Sequence, residues 1–82
     1  MYTEIGKFTV DEHYKGHIII VTVAGPDKKF KWIPSCRVLD ESSRKFLKEL
    51  DWYLNYDTRE QAEKVGLLVG KKWVDQLDAK FR

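Results

Sequence analysis

His13 and His17 stand four residues apart, Cys36 is the single thiol, and Asp11-Glu12 and Asp40-Glu41 are adjacent carboxylate pairs. An imidazole next to a thiol can activate a nucleophile, paired carboxylates can exchange protons, and imidazoles with sulfur or carboxylate can hold zinc. Each chemistry needs a convergence that the spacing does not supply. The histidines flank the turn residues Tyr14-Lys15-Gly16, and no second group of sulfur or acidic ligands accompanies them. In a hairpin the two rings could meet across the strands, although two solvated histidines near a turn account equally well for the spacing. Cys36 reads as a small buried side chain, since free cysteine is among the most often buried residue types. The carboxylate pairs read as solvated turn residues. Gly6, Gly16 and Gly25 are isolated, so no phosphate-cradling loop is present. We therefore expect no catalytic residue, no metal ligand and no cofactor.

A second constellation is basic and aromatic. Between Lys28 and Leu39 there are four cations, Lys28, Lys29, Lys31 and Arg37, and no acidic residue. Cations interleaved with aromatic rings can bind phosphates and stack bases, which makes these four candidate nucleic-acid contacts. The alternation in Lys29-Phe30-Lys31-Trp32 has the period of a half-buried strand, with Phe30 and Trp32 directed inward. Only Lys29 and Lys31 then face out, and a solvated lysine face is the competing reading.

The elements that must carry these residues follow from periodicity and punctuation. Phe8-Thr9-Val10 reads as the middle of a first strand, joined through Tyr14-Lys15-Gly16 to the strand His17–Ala24. Gly25-Pro26-Asp27 marks the next turn and Lys29–Trp32 the third strand, which completes an antiparallel meander. Pro34 lacks a backbone donor and is expected to end regular pairing, leaving Cys36–Leu39 as a short extra strand before the polar stretch Asp40–Ser43. Leu50, Trp52, Leu54 and Tyr56 alternate with Asp51, Tyr53 and Asn55, which predicts a final strand from about Glu49 onward. Thr58 and Gln61 form a capping box, so a long helix should span Arg59–Ala79. At 100° per residue, Ala62, Val65, Gly66, Val69, Trp73 and Leu77 share one face, opposite Glu60, Lys64, Lys71, Asp75 and Asp78. Trp73 is placed centrally on the apolar stripe. Gly66 and Gly70 each cost about 1 kcal/mol of helix propensity, which predicts close approach to a strand as compensation.

The strand His17–Ala24 is apolar on both faces, with Ile18, Ile20 and Thr22 on one side and Ile19, Val21 and Val23 on the other. One helix covers one face. Either the segment Arg37–Lys48 folds over the other, or a second chain does, which makes Ile18 and Ile20 candidate interface residues.

The pattern Tyr56-x-Thr58-x-Glu60-x-Ala62 followed by Lys71-Lys72-Trp73-Val74-Asp75 resembles the C-terminal end of small bacterial domains of unknown function. More distantly, Tyr14–Leu77 is similar to AP2-type and integrase arm-type DNA-binding domains, in which a three-stranded sheet lies on one helix. The resemblance implies an α+β fold and, for the second group, DNA contact through the sheet. Those domains read DNA with arginine- and tryptophan-rich sheet faces, whereas the predicted face here offers Lys29 and Lys31 beside isoleucines.

Composition bounds the remainder. Eighty-two residues suit one domain with one core, and a chain of this size buries only roughly 60% of its unfolded surface. Fifteen Lys and Arg against 13 Asp and Glu do not by themselves imply a nucleic-acid or membrane partner. The longest apolar run, Ile18–Val21, is far too short to cross a bilayer, and no basic-then-apolar leader opens the sequence. A lone cysteine suits a reducing compartment. The expectation is a single α+β domain over residues 1–82, soluble and cytoplasmic. Its sheet has three to five antiparallel strands and packs on one C-terminal helix. In function we expect a non-catalytic binding or self-association module, with nucleic-acid binding and then enzyme activity as the alternatives.

Overall fold

The computed structural model describes residues 6–52 and 54–80, with side chains as far as Leu77. Strands β1 (Gly6–Tyr14), β2 (His17–Gly25), β3 (Ile33–Asp40) and β4 (Phe46–Leu50) form an antiparallel meander in that spatial order, and helix α1 (Arg59–Lys80) closes the chain. This is the expected α+β arrangement. Lys15 and Gly16 both have positive φ, 47° and 78°. Left-handed residues at both central positions give a two-residue turn whose twist matches that of the strands it joins.

Helix α1 covers one face of the sheet. Ile19, Val21 and Val23 of β2, Cys36 and Val38 of β3, and Ala62 and Val74 of α1 are buried and form the core. The helix begins as expected: the Gln61 N–H donates to Thr58 Oγ1 at 3.1 Å. Its buried line is Ala62, Gly66, Gly70 and Val74, one residue per turn, while Val65, Val69, Trp73 and Leu77 lie half-buried on the flank. Trp73 therefore packs at the rim, which corrects its expected central place. The reason is the closeness of the layers. A Cβ on Gly66 would lie 2.5 Å from Val21 Cγ1, and one on Gly70 would lie 2.5 Å from Ile19 Cγ2 and 2.9 Å from Cys36 Sγ. Only glycine fits at those two positions, midway along the line, and an indole must sit beside it. Tyr14 Oη and Lys15 Nζ both donate to Asp75, and Lys71 pairs with Glu12, so the far end of α1 is tied to β1. The side chain of Asp78, expected on the polar face, lies outside the described residues.

Three sequence expectations are corrected between Gly25 and Tyr56. First, Lys29–Trp32 is not a strand. The Asp27 carboxylate accepts hydrogen bonds from the backbone N–H groups of Lys29 and Lys31, and the chain there curls into a loop. Second, Pro34 lies inside β3, paired with Val23 and buried. It is tolerated because β4 pairs with β3 only from Cys36 onward, so at Pro34 the strand has a neighbour on one side alone. Third, the last strand is Phe46–Leu50, not the stretch from Glu49 to Tyr56. Trp32 and Tyr56 share only an isolated bridge, and Trp52 Nε1 donates to Tyr56 Oη at 3.0 Å. The alternating aromatics thus seal the end of the core as side chains. Tyr53, also assigned to that strand, lies outside the described residues. Among the described residues, no helix is long and apolar enough to cross a membrane.

Candidate functional site

Residues opposite one another in an antiparallel pair share a face, so the register lays out the side of the sheet away from α1 as a grid. Its first row, beside the hairpin turns, is His13, Ile18, Leu39 and Phe46. Next come Asp11, Ile20, Arg37 and Glu49, then Thr9, Thr22 and Ser35. Lys7, Ala24 and Ile33 form the last row. The register shift between Val38 and Leu39 inserts one extra residue in β4, which brings both Phe46 and Glu49 onto this face.

Relief on this face follows from side-chain size. Ile18 is only 3% exposed, whereas Ile20 and Leu39 are half-buried and Phe46 is 57% exposed. At the other end, the small side chains of Thr22, Ala24 and Ser35 leave a hollow of about 340 Å³, flanked by Lys7, Ile33, Arg37 and Asp51. Raised apolar side chains thus occupy one end of the grid and a hollow the other. Segment Arg37–Lys48 does not fold over this face, which corrects one of the two expected covers. It forms the end of β3, the turn and the start of β4, so it extends the sheet and adds no layer. Of the two candidate interface residues, Ile20 contributes surface and Ile18 does not.

The chemistry-bearing residues are kept apart. His13 pairs with Ile18 on the open face, whereas His17 pairs with Tyr14 on the helix side. The two imidazoles therefore do not meet across the hairpin. His13 Nδ1 lies 3.4 Å from Glu41 Oε1, and His17 Nδ1 lies 3.0 Å from the Lys15 carbonyl oxygen. Cys36 is packed beneath α1, and burial pushes its thiol up to about 11, which keeps it protonated at neutral pH. The Asp40 carboxylate accepts from the Ser43 N–H and from the hydroxyls of Ser42 and Ser43. These bonds favour its charged form, lower its pKa to about 2 and commit it to holding the β3–β4 turn. Among the described residues, no group of three or more His, Cys, Asp and Glu side chains converges.

The four basic candidates are likewise dispersed. Lys28 and Lys29 are exposed on the loop after β2, Lys31 pairs with Asp57, and Arg37 lies on the open face with Nε 3.8 Å from Glu49 Oε1. Phe30, expected to point inward, is 78% exposed at φ 60° because it forms the tip of that loop. Leu39, Phe46 and Ile33 were not singled out from sequence. Carrying the period of two through Pro34 would have put Ile33, Ser35, Arg37 and Leu39 on one face. Phe46 carried no such signal, since its orientation depends on the bulge. No protein-family model, no curated protein and no solved structure matches this chain.

Proposed function

We propose that the protein is a non-catalytic binding or self-association module of the cytoplasm, and that the open face of its sheet is the binding surface. One observation carries the reading: α1 covers a single side of the four-stranded sheet, and Ile20, Ile33, Leu39 and Phe46 remain on the other. An apolar group of this kind on a small domain marks a contact surface. The sheet edges serve less well. β1 carries Lys7, Asp11, Glu12 and His13, and β4 is only five residues long, both devices that discourage edge pairing.

The test is site-specific photo-crosslinking in cells that express the chain. A crosslinker at Thr22, on the open face, should give discrete adducts, and one at Lys64, on the exposed side of α1, should not. Equal labelling at both positions, or none at Thr22, refutes the reading. A second reading, nucleic-acid binding, is favoured by one feature: the ring of Phe30 stands out beside Lys28 and Lys29. It requires binding of a labelled single strand that weakens steeply with salt and is lost in Phe30→Ala. Binding indifferent to both removes it.

A further inference from the structure

We propose that the occupant of the open face is a second copy of this chain, related by a two-fold axis that lies between the two sheets, perpendicular to the strands, at the level between Ile20 and Thr22. The inference rests on the proposed function and names the partner. Such an axis inverts the order of rows while keeping each strand opposite its own copy. The raised end of one sheet then meets the hollow of the other, and the match occurs twice. Ile20 of one copy lies over Thr22 of the other and so enters the hollow, while Leu39 meets the exposed Ile33 as an apolar pair at its flank.

Charge follows the same pattern. Arg37 of each copy comes level with Ser35 and its neighbour Asp51 in the other, and Lys7 comes level with His13, which is paired with Glu41. Each cation therefore approaches a carboxylate. Glu49 and Asp51 approach each other as like charges and are bracketed by the Arg37 side chains of both copies. An axis parallel to the strands does worse. It would place Asp11 against Glu49 and Ile20 against Arg37.

The contact is modest. Four strands spaced about 4.8 Å apart and four rows about 6.8 Å deep give about 500 Å² per copy. A total of about 1,000 Å² lies at the lower limit for a specific interface, so a weak, reversible dimer is expected.

Sedimentation equilibrium of the purified chain from about 10 µM to about 1 mM spans the range in which a contact of this size dissociates. The wild type should pass from monomer to dimer. Ile20→Lys should raise the dissociation constant at least about tenfold, as for loss of a central apolar contact. Ala24→Leu separates this arrangement from unspecific stickiness: a larger apolar residue on an open surface should promote association, but here it fills the hollow and should weaken the dimer. Ser35→Leu is a second variant with the same expectation. An equimolar mixture of Ile20→Cys and Thr22→Cys chains should cross-link through a short bismaleimide faster than either alone, with Cys36 shielded beneath α1. A monomeric wild type throughout overturns the second-copy inference. Open-face photo-crosslinks to other proteins would in that case leave the binding-surface reading standing. A dimer tightened by Ala24→Leu and Ser35→Leu overturns the two-fold arrangement.

Discussion

Gly66→Ala sets two physical effects against each other. Alanine at an interior helical position should stabilise α1 by about 1 kcal/mol, because glycine has more backbone freedom to lose. The added methyl would, however, lie 2.5 Å and 2.9 Å from the two Cγ atoms of Val21 and 3.3 Å from its Cβ. Ordinary carbon–carbon contact is about 3.5–4.0 Å, so a displacement of about 1 Å is required. Val21 has no easy escape. It is fully buried in a central strand, both its methyls already face the helix, and a β-branched side chain has few alternative rotamers. The helix is equally constrained, since Gly70 is in close contact one turn later and Lys71 and Asp75 are tied to β1. Overpacking of this kind costs about 1–3 kcal/mol, toward the upper end here. After the propensity gain, Gly66→Ala should destabilise the domain by about 1–2 kcal/mol, or about 5–10 °C in Tm. Urea denaturation with an unchanged m-value measures it, and adding Val21→Ala should relieve the clash, so that the double variant loses less than the two single losses together. A Gly66→Ala chain more stable than wild type by the propensity gain would refute the close approach of α1 to β2.

Val74, at 1% exposure, should cost about 2 kcal/mol when truncated to alanine, and Trp73→Ala should cost no more despite its size, because the indole lies at the rim. Denaturation midpoints for the two variants rank them, and a far larger loss at Trp73 would return it to the centre of the core. The Asp40 pKa is lowered from 3.8 to about 2, so its contribution to stability is complete above the unfolded value and is lost as pH falls through about 2. The stability of Asp40→Asn should accordingly depend less on pH between those values, and parallel acid-unfolding curves would contradict the turn's role. The Cys36 thiol should react with a disulfide reagent at pH 8 only as fast as the domain opens; modification at the rate of a free peptide thiol would mean that α1 does not shield it.

The first hairpin and the helix were legible because each is governed by local chemistry. Lys15-Gly16 supplies a two-residue turn, the β-branched run His17–Ala24 has few alternatives to a strand, and Thr58 with Gln61 caps a helix in almost any context. The need for close packing at Gly66 and Gly70 was also readable, since two glycines in a helix imply a neighbour too near for a Cβ. The residues from Gly25 to Tyr56 were not legible in this way. There, the Asp27 carboxylate captures backbone donors that would otherwise extend a strand through Lys31. Pro34 is admissible because β4 stops short of it, a fact about a neighbour that local sequence does not contain. The alternation from Leu50 to Tyr56 fits a strand, but its aromatics are used to close the core. The open face shows the same division. The two-sided apolarity of β2 announced that a second surface exists, while its composition depends on register. A one-residue bulge at Val38/Leu39 puts Phe46 and Glu49 on that face, and the hollow beside Ala24 exists only because β2 and β3 bring the small side chains of Thr22, Ala24 and Ser35 level with one another.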